Sequence, residues 1–240
     1  MAETSAADDT LQDIVGFKHP LPNLARSLRQ RNTKIVAFGS SSTSGMLSVV
    51  PYPARLELML RNEFGIQMID EFDKRMINVI NRGVGGEEAS IELRRMQSDV
   101  IDEKPALVIW QVGTNAVFHN DDPRFAFEKV FAAIKEGLDR LAKIPADVIL
   151  MDSQYTTAVV TPDKKRLSDK MVKRISELAD DAGVDVFHRW ALMQPWHVAM
   201  RELVDPADGL QLHLSDWATQ NVAQALFDQI KKALNATSIT

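Results

Sequence analysis

The stretch Lys34-Ile35-Val36-Ala37-Phe38-Gly39-Ser40-Ser41-Ser42-Thr43-Ser44-Gly45 decides how the chain is read. A short apolar run of strand type from Lys34 to Phe38 leads directly into a turn dense in hydroxyls, and a helix-like stretch follows. The order strand, sharp turn, helix places the hydroxyls at a strand's carboxyl end, the edge at which open α/β sheets bind their ligands. Gly39 and Gly45 supply the backbone freedom that an exposed turn requires, so a serine there is a candidate nucleophile.

The same alternation continues along the chain. Apolar runs at 34–38, 76–81, 106–112, 147–152 and 184–188 read as strands, and helical patterns follow at 53–63, 87–103, 123–142, 163–182 and 191–203, with a last helix at 215–234. Strands alternating with helices imply βαβ crossovers and a parallel sheet covered on both faces. The expected fold is α/β: a three-layer αβα sandwich of flavodoxin-like type, with a five-stranded parallel sheet in the order 2-1-3-4-5. Continuous apolarity in Leu107-Val108-Ile109-Trp110 and Val148-Ile149-Leu150-Met151 suits central strands, and Pro105 and Pro145 mark their starts. Residues 1–33, with Pro20, Pro22 and an amphipathic piece from Leu24 to Arg31, read as an arm packing on one domain formed by residues 34–240.

Composition narrows the function. The 240 residues are 45% apolar, enough for one substantial core. A formal charge of -5 provides no field for nucleic acid, and Lys164-Lys165-Arg166 belongs to a mixed-charge helical face. With no cysteine, disulfides, thiol nucleophiles and thiolate metal sites are excluded. The acidic, polar start lacks the basic and apolar parts of a signal peptide, and no apolar run spans a bilayer, so a soluble cytoplasmic protein is expected, with an exported mature form equally compatible.

Four loops carry chemistry-bearing residues: the serine turn, Asn81-Arg82-Gly83-Val84-Gly85-Gly86, Gly113-Thr114-Asn115, and Asp208-Gly209-Leu210-Gln211-Leu212-His213-Leu214-Ser215-Asp216 before the last helix. Singly, each has a plainer reading as a phosphate loop, a packing glycine or a helix cap. Their joint order from Lys34 to Leu234 resembles the blocks of the GDSL/SGNH hydrolase family. The resemblance implies a serine esterase with Ser41 as nucleophile and His213 as base. It also implies an oxyanion hole made by the Ser41 and Gly86 N–H groups and the Asn115 amide, and it implies no cofactor.

Residue chemistry supports the assignment. A serine hydroxyl needs an adjacent base, which an imidazole provides. Each donor aimed at the tetrahedral oxyanion contributes about 3 to 4 kcal/mol to catalysis. The sequence departs from the family pattern twice. Ser40 stands where the family usually has Asp. Leu210 occupies the position three residues before the histidine where its acid normally stands, so Asp208, five before, is the expected acid, with Asp205 as substitute and a backbone carbonyl as a further means of orienting the ring.

The other histidines, His19, His119, His188 and His197, fall in loop, strand-end or core contexts, and Asp208, His213 and Asp216 lack a second histidine cluster to make a metal site. The expected substrate is a small-molecule or carbohydrate ester, with a short acyl group such as acetyl on a sugar as the finer expectation, and neither nucleic acid nor metal is expected as partner. The alternatives are a flavin- or phosphate-binding module, whose Ser/Thr turn cradles a phosphate, and a catalytically inactive hydrolase-like scaffold.

Overall fold

In the computed structural model, residues 16–30, 32–46, 48–65, 76–199 and 202–237 are described; the start of the expected arm, residues 1–15, lies outside them. Five strands, β1 (Asn32–Gly39), β2 (Met76–Gly83), β3 (Leu107–Gln111), β4 (Asp147–Met151) and β5 (Asp185–Phe187), form one parallel sheet in the order β2-β1-β3-β4-β5. The fold class is the one expected from the alternating pattern, and the strand order is the expected 2-1-3-4-5.

Period-two side-chain alternation divides each strand between two cores. Ile35, Ala37, Leu107, Ile109, Ile149 and Met151 face one layer, and Val36, Phe38, Val108, Trp110 and Leu150 face the other. The first layer contains α1 (Pro22–Leu28), α3 (Tyr52–Phe64) and α9 (Asp216–Thr237), through residues such as Leu24, Leu56, Val222 and Leu226. The second contains α6 (Phe127–Leu141) and α7 (Lys165–Ala182), whose Val130, Ile134, Leu138, Met171, Ile175 and Leu178 recur at helical spacing and are buried.

Short elements sit at the sheet's carboxyl edge: α2 (Ser41–Ser44), α4 (Ala89–Glu92), α5 (Thr114–Phe118) and α8 (Arg189–Ala199). The expected helix at 87–103 is broken. It is α4, a turn, and a π-helical piece at Gln97–Ile101, because Glu88 and Glu92 turn inward to satisfy buried donors rather than continuing a solvated face. At 123–142, a 3₁₀ turn over Pro123–Phe125 precedes α6, with Asp122 accepting from the Arg124 N–H. The helix expected at 191–203 starts at Arg189 and ends at Ala199.

The segment before β1 is fastened to the sheet's amino edge by two carboxylates. Asp147 accepts from the Leu24 N–H at 2.8 Å and from the Asn23 side chain at 3.0 Å. Asp185 accepts from the Lys18 N–H at 2.7 Å. Leu21, Leu24 and Leu28 are buried beneath these contacts, so the described part of the arm shares the first core.

Packing is close where α6 crosses β3. A Cβ added at Gly137 would stand 2.3 Å from the Trp110 ring. Trp110 is fully buried and its Nε1–H donates to Glu92 at 2.7 Å, so the ring cannot swing away without losing a buried hydrogen bond. Gly137→Ala is therefore expected to destabilise the protein by about 1–3 kcal/mol through overpacking, measured as a lower urea midpoint with an unchanged m-value; equal midpoints for variant and wild type would contradict the packing argument.

Candidate active site

The turn after β1 is built around a polar residue at the end of an apolar strand. Gln111, the last residue of β3, is buried, and its Oε1 accepts from the Ser40 N–H at 3.0 Å, the Ser40 hydroxyl at 2.9 Å and the Ser42 hydroxyl at 2.9 Å, with Thr43 Oγ1 at 3.5 Å. A carbonyl oxygen has two lone pairs, so these donors share it. Ser40, the residue that departs from the family pattern, thus spends both its N–H and its hydroxyl on β3. The turn next to β2 comes equally close: a Cβ on Gly83 would lie 2.1 Å from the Ser44 nitrogen. Asn81 Nδ2 donates to the Thr43 carbonyl across the same seam.

Ser41 begins α2, where N–H groups have no carbonyl one turn earlier to accept them. Its Oγ is 3.1 Å from His213 Nε2, a contact joining residues 172 positions apart. His213 Nδ1 lies 3.2 Å from Asp208 Oδ2, off the line of a well-aligned hydrogen bond. The Asp208 carboxylate is itself anchored by the backbone: Oδ2 accepts from the Leu212 N–H at 2.7 Å and the His213 N–H at 2.6 Å, and Oδ1 from the Leu210 N–H at 3.1 Å. Partial burial opposes ionisation of Asp208, but these N–H groups and the His213 ring outweigh it and hold its carboxyl below the usual range.

The five-residue spacing closes through a tight turn in which Gln211 adopts a left-handed φ of 53°. Asp205, the substitute acid, is engaged elsewhere. It accepts from the Ser48 hydroxyl at 2.9 Å and the Ala207 N–H at 2.9 Å, and it meets His213 only through a backbone bond from its own N–H to the His213 carbonyl.

Gly86 has φ +78°, a conformation that favours glycine, and space is open on the side where a Cβ would stand. Asn115 is buried in α5, and its Nδ2 donates to the Glu87 carbonyl at 2.6 Å. That bond uses one of two amide hydrogens and fixes the amide plane. Glu88 ties the two loops together, its carboxylate accepting from the Ala89, Gly113 and Ala116 N–H groups at 3.0, 2.8 and 3.0 Å.

Glu92 is fully buried in the same region. Desolvation first, then the Glu88 charge, push its pKa well above the ordinary glutamate range, against the opposing bond from Trp110. Burial also raises the pKa of Glu88, and four backbone donors oppose this, whereas Glu92 has a single indole donor and is the one pushed well above its ordinary range.

A small cavity beside Ser41 is lined by Ser42, Gly45, Met46, Val49, Pro51, Tyr52, Arg189, His213, Leu214, Thr219 and Val222. The space within it open to the centres of water-sized spheres is about 20 Å³. Tyr52 is buried here, and burial raises its phenol well above the usual range. No group of three or more His, Asp or Glu side chains able to hold a metal occurs among the described residues. No helix among them is long and apolar enough to cross a membrane.

Residues 8–236 match the model of the Non-GDSL lipase-like family. The chain belongs to that family. No curated protein matches this Non-GDSL lipase-like chain. Solved structures do. Axe2, an acetylxylan esterase from Geobacillus stearothermophilus, is 20% identical with a TM-score of 0.66 over 82% of this chain and 94% of that one. LAE5, an alpha/beta hydrolase enzyme from the metagenome of Lake Arreo, Spain, is 19% identical with a TM-score of 0.67 over 83% and 95% of the two chains. At this identity the likeness shows a common fold.

Three supporting residues of the lipase-like site were not read from sequence: Gln111, Glu88 and Arg189. Gln111 carried a signal, being the polar end of the buried run Leu107-Val108-Ile109-Trp110; Glu88 and Arg189 looked like ordinary charged residues near helix starts. Two outcomes follow for this Non-GDSL lipase-like protein. Gln111→Leu leaves the Ser40 N–H and two hydroxyls without their acceptor, and a loss of about 1–3 kcal/mol in urea unfolding is expected; full retention of stability would contradict the role of Oε1.

Glu92→Gln supplies the neutral form permanently. The folded wild type holds a proton on Glu92 that the unfolded chain releases near the ordinary value, so the wild type loses stability as pH rises from that value toward the raised folded one. The difference in Tm between variant and wild type should therefore move in the variant's favour as pH is raised from 4 to 8, and a pH-independent difference would count against a protonated Glu92.

Proposed function

We propose that this protein is a serine hydrolase of carboxylic esters, working through an acyl-enzyme on Ser41. The observation that carries the reading is the 3.1 Å approach of His213 Nε2 to Ser41 Oγ, within the reach required between a nucleophile and its base. In this reading His213 takes the hydroxyl proton as Oγ attacks the ester carbonyl, then returns it to the leaving alcohol. A second cycle, with water in place of the hydroxyl, releases the acid.

Asp208 orients the ring from the Nδ1 side, where its Oδ2 is 3.2 Å away. Three backbone N–H groups keep it ionised, so it stabilises the imidazolium that forms during attack. The oxyanion is received by the Ser41 N–H at the start of α2, the Gly86 N–H and the second Nδ2 hydrogen of Asn115, the first being held by Glu87. The turns after β1, β2 and β3 bring these donors to one edge, the arrangement of the SGNH blocks that the sequence resembles. A phosphate- or flavin-binding module has no use for an imidazole placed against Ser41.

The cavity beside Ser41 is narrow, with Met46, Val49, Pro51, Leu214 and Val222 among its walls beside the polar Ser42, Arg189 and Thr219, which favours a short acyl group. Axe2 is named an acetylxylan esterase, and its crystallised catalytic mutants replace a histidine, a serine and an aspartate by alanine. An acetyl ester of a carbohydrate is accordingly the substrate we assign.

Ser41→Ala should abolish labelling by a fluorophosphonate probe and lower kcat/KM for p-nitrophenyl acetate on the order of 10⁴-fold or more. Intact-mass spectrometry of the labelled wild type, with peptide mapping to Ser41, checks the first point. Wild-type protein that neither labels nor cleaves any short-chain ester would overturn the reading.

A further inference from the structure

We infer that Arg189 is a positioning residue for the nucleophile, acting through Ser42 to fix the direction of the hydroxyl chain that surrounds Ser41. The inference rests on the hydrolase reading and goes beyond it.

Arg189 opens α8 and is 1% exposed, a buried guanidinium lining the same cavity as Ser41 and His213. Its Nε donates to the Asp152 carbonyl at 3.1 Å, past the end of β4, and its Nη1 lies 3.2 Å from Ser42 Oγ. The fork thus spans from the carboxyl end of β4 to α2. Buried charges are normally paired, yet the two bonds of this guanidinium go to neutral oxygens and its Nη2 is buried without a hydrogen-bond partner. The nearby Asp152 carboxyl is occupied by the Trp190 N–H and approached by His188. Desolvation pushes the Arg189 pKa down to about 10, and Asp152 and Tyr52 act in the other direction, so the side chain still carries its proton at neutral pH.

The chemical consequence lies in directionality. Ser42 has one hydroxyl hydrogen and can either donate or accept along a given line. Guanidinium only donates, so toward Arg189 Ser42 must accept, and its single hydrogen goes to Gln111 Oε1 at 2.9 Å. The Ser40 hydroxyl hydrogen goes to the same oxygen, and Ser44 Oγ bonds to the Ser41 carbonyl at 3.3 Å. Ser40, Ser42 and Ser44 are thereby committed to partners other than Ser41 Oγ, which leaves His213 as the group that receives the nucleophile's proton. Without Arg189, the Ser42 hydroxyl is held by Gln111 Oε1 alone, an oxygen it shares with the Ser40 N–H, the Ser40 hydroxyl and Thr43, and its lone pairs are open to a competing donor one residue from the reacting oxygen.

A double-mutant cycle with Ser42→Ala and Arg189→Met separates this role from bulk stability. Wild type is first titrated with the fluorophosphonate; absence of Ser41 labelling would sink the hydrolase reading itself, and the cycle is interpreted only on a protein that labels. Each single variant is expected to lower kcat for p-nitrophenyl acetate by about tenfold to a hundredfold with KM within about twofold, a loss of geometry rather than of binding. The double variant should be no slower than the slower single, and Arg189→Lys, which keeps a charged donor, should recover part of the loss.

Urea unfolding and circular dichroism identify any variant that fails to fold. Should Arg189→Met fail, Arg189→Lys takes its place in the cycle, and Ser42→Ala, a surface-near truncation, still decides. A folded Ser42→Ala enzyme with wild-type kcat, or a double variant whose loss is the product of the singles, overturns the inference.

Discussion

Parallel pairing around β1 is the constraint from which the rest follows. With β2 and β3 both running alongside it, Gly39 is level with Gly83 and Phe38 with Trp110. Every β-to-α turn therefore opens at the same edge, and three turns distant in sequence become neighbours without any loop having to reach. Ladder hydrogen bonds set this juxtaposition before side chains contribute. Side-chain chemistry then refines it: Gln111 draws in the first turn, Glu88 binds the second to the third, and Asp208 gathers the histidine loop about its own carboxylate.

Much of this was legible in the sequence because the signals were periodic. The strands 34–38, 76–81, 106–112, 147–152 and 184–188 are read to within a few residues, since burial on both faces leaves short, mostly apolar runs bounded by turn and helix signals. Helices with a clean apolar stripe, such as Lys165–Ala182, were equally plain. The segment 87–103 misled because its charges suggested a solvated face, whereas Glu88 and Glu92 point inward to backbone and indole donors. A glutamate's letter does not reveal whether its partner is water or a buried N–H.

The same distinction governs the site. Ser41, Gly86, Asn115, Asp208 and His213 could be singled out because turns and spacings mark them, and the coordinates bring Ser41, His213 and Asp208 into contact range. Gln111, Glu88 and Arg189 bond to neighbours of Ser41 and Asn115 in their turns across 25 to 147 positions, which no local pattern records. The supporting shell also costs stability. Glu88, Glu92, Asp152 and Arg189 are ionisable groups at 0–2% exposure, and each must recover its desolvation from the groups it bonds, backbone N–H for Glu88 and Asp152, the Trp110 indole for Glu92, and the Asp152 carbonyl and Ser42 for Arg189. They belong to the elements at the carboxyl edge of the sheet, where the candidate site lies, the usual distribution of strain between function and fold.

Asp208 is held by the peptide groups at 210, 212 and 213, and the turn through Gln211 takes up the extra length. What the fold preserves is the capture of one carboxylate by its own loop, and the number of residues between the two side chains is free to vary. A pattern search that demands a fixed interval would pass over chains of this kind, whereas one that asks for an acid able to cap the backbone just ahead of the histidine would retrieve them.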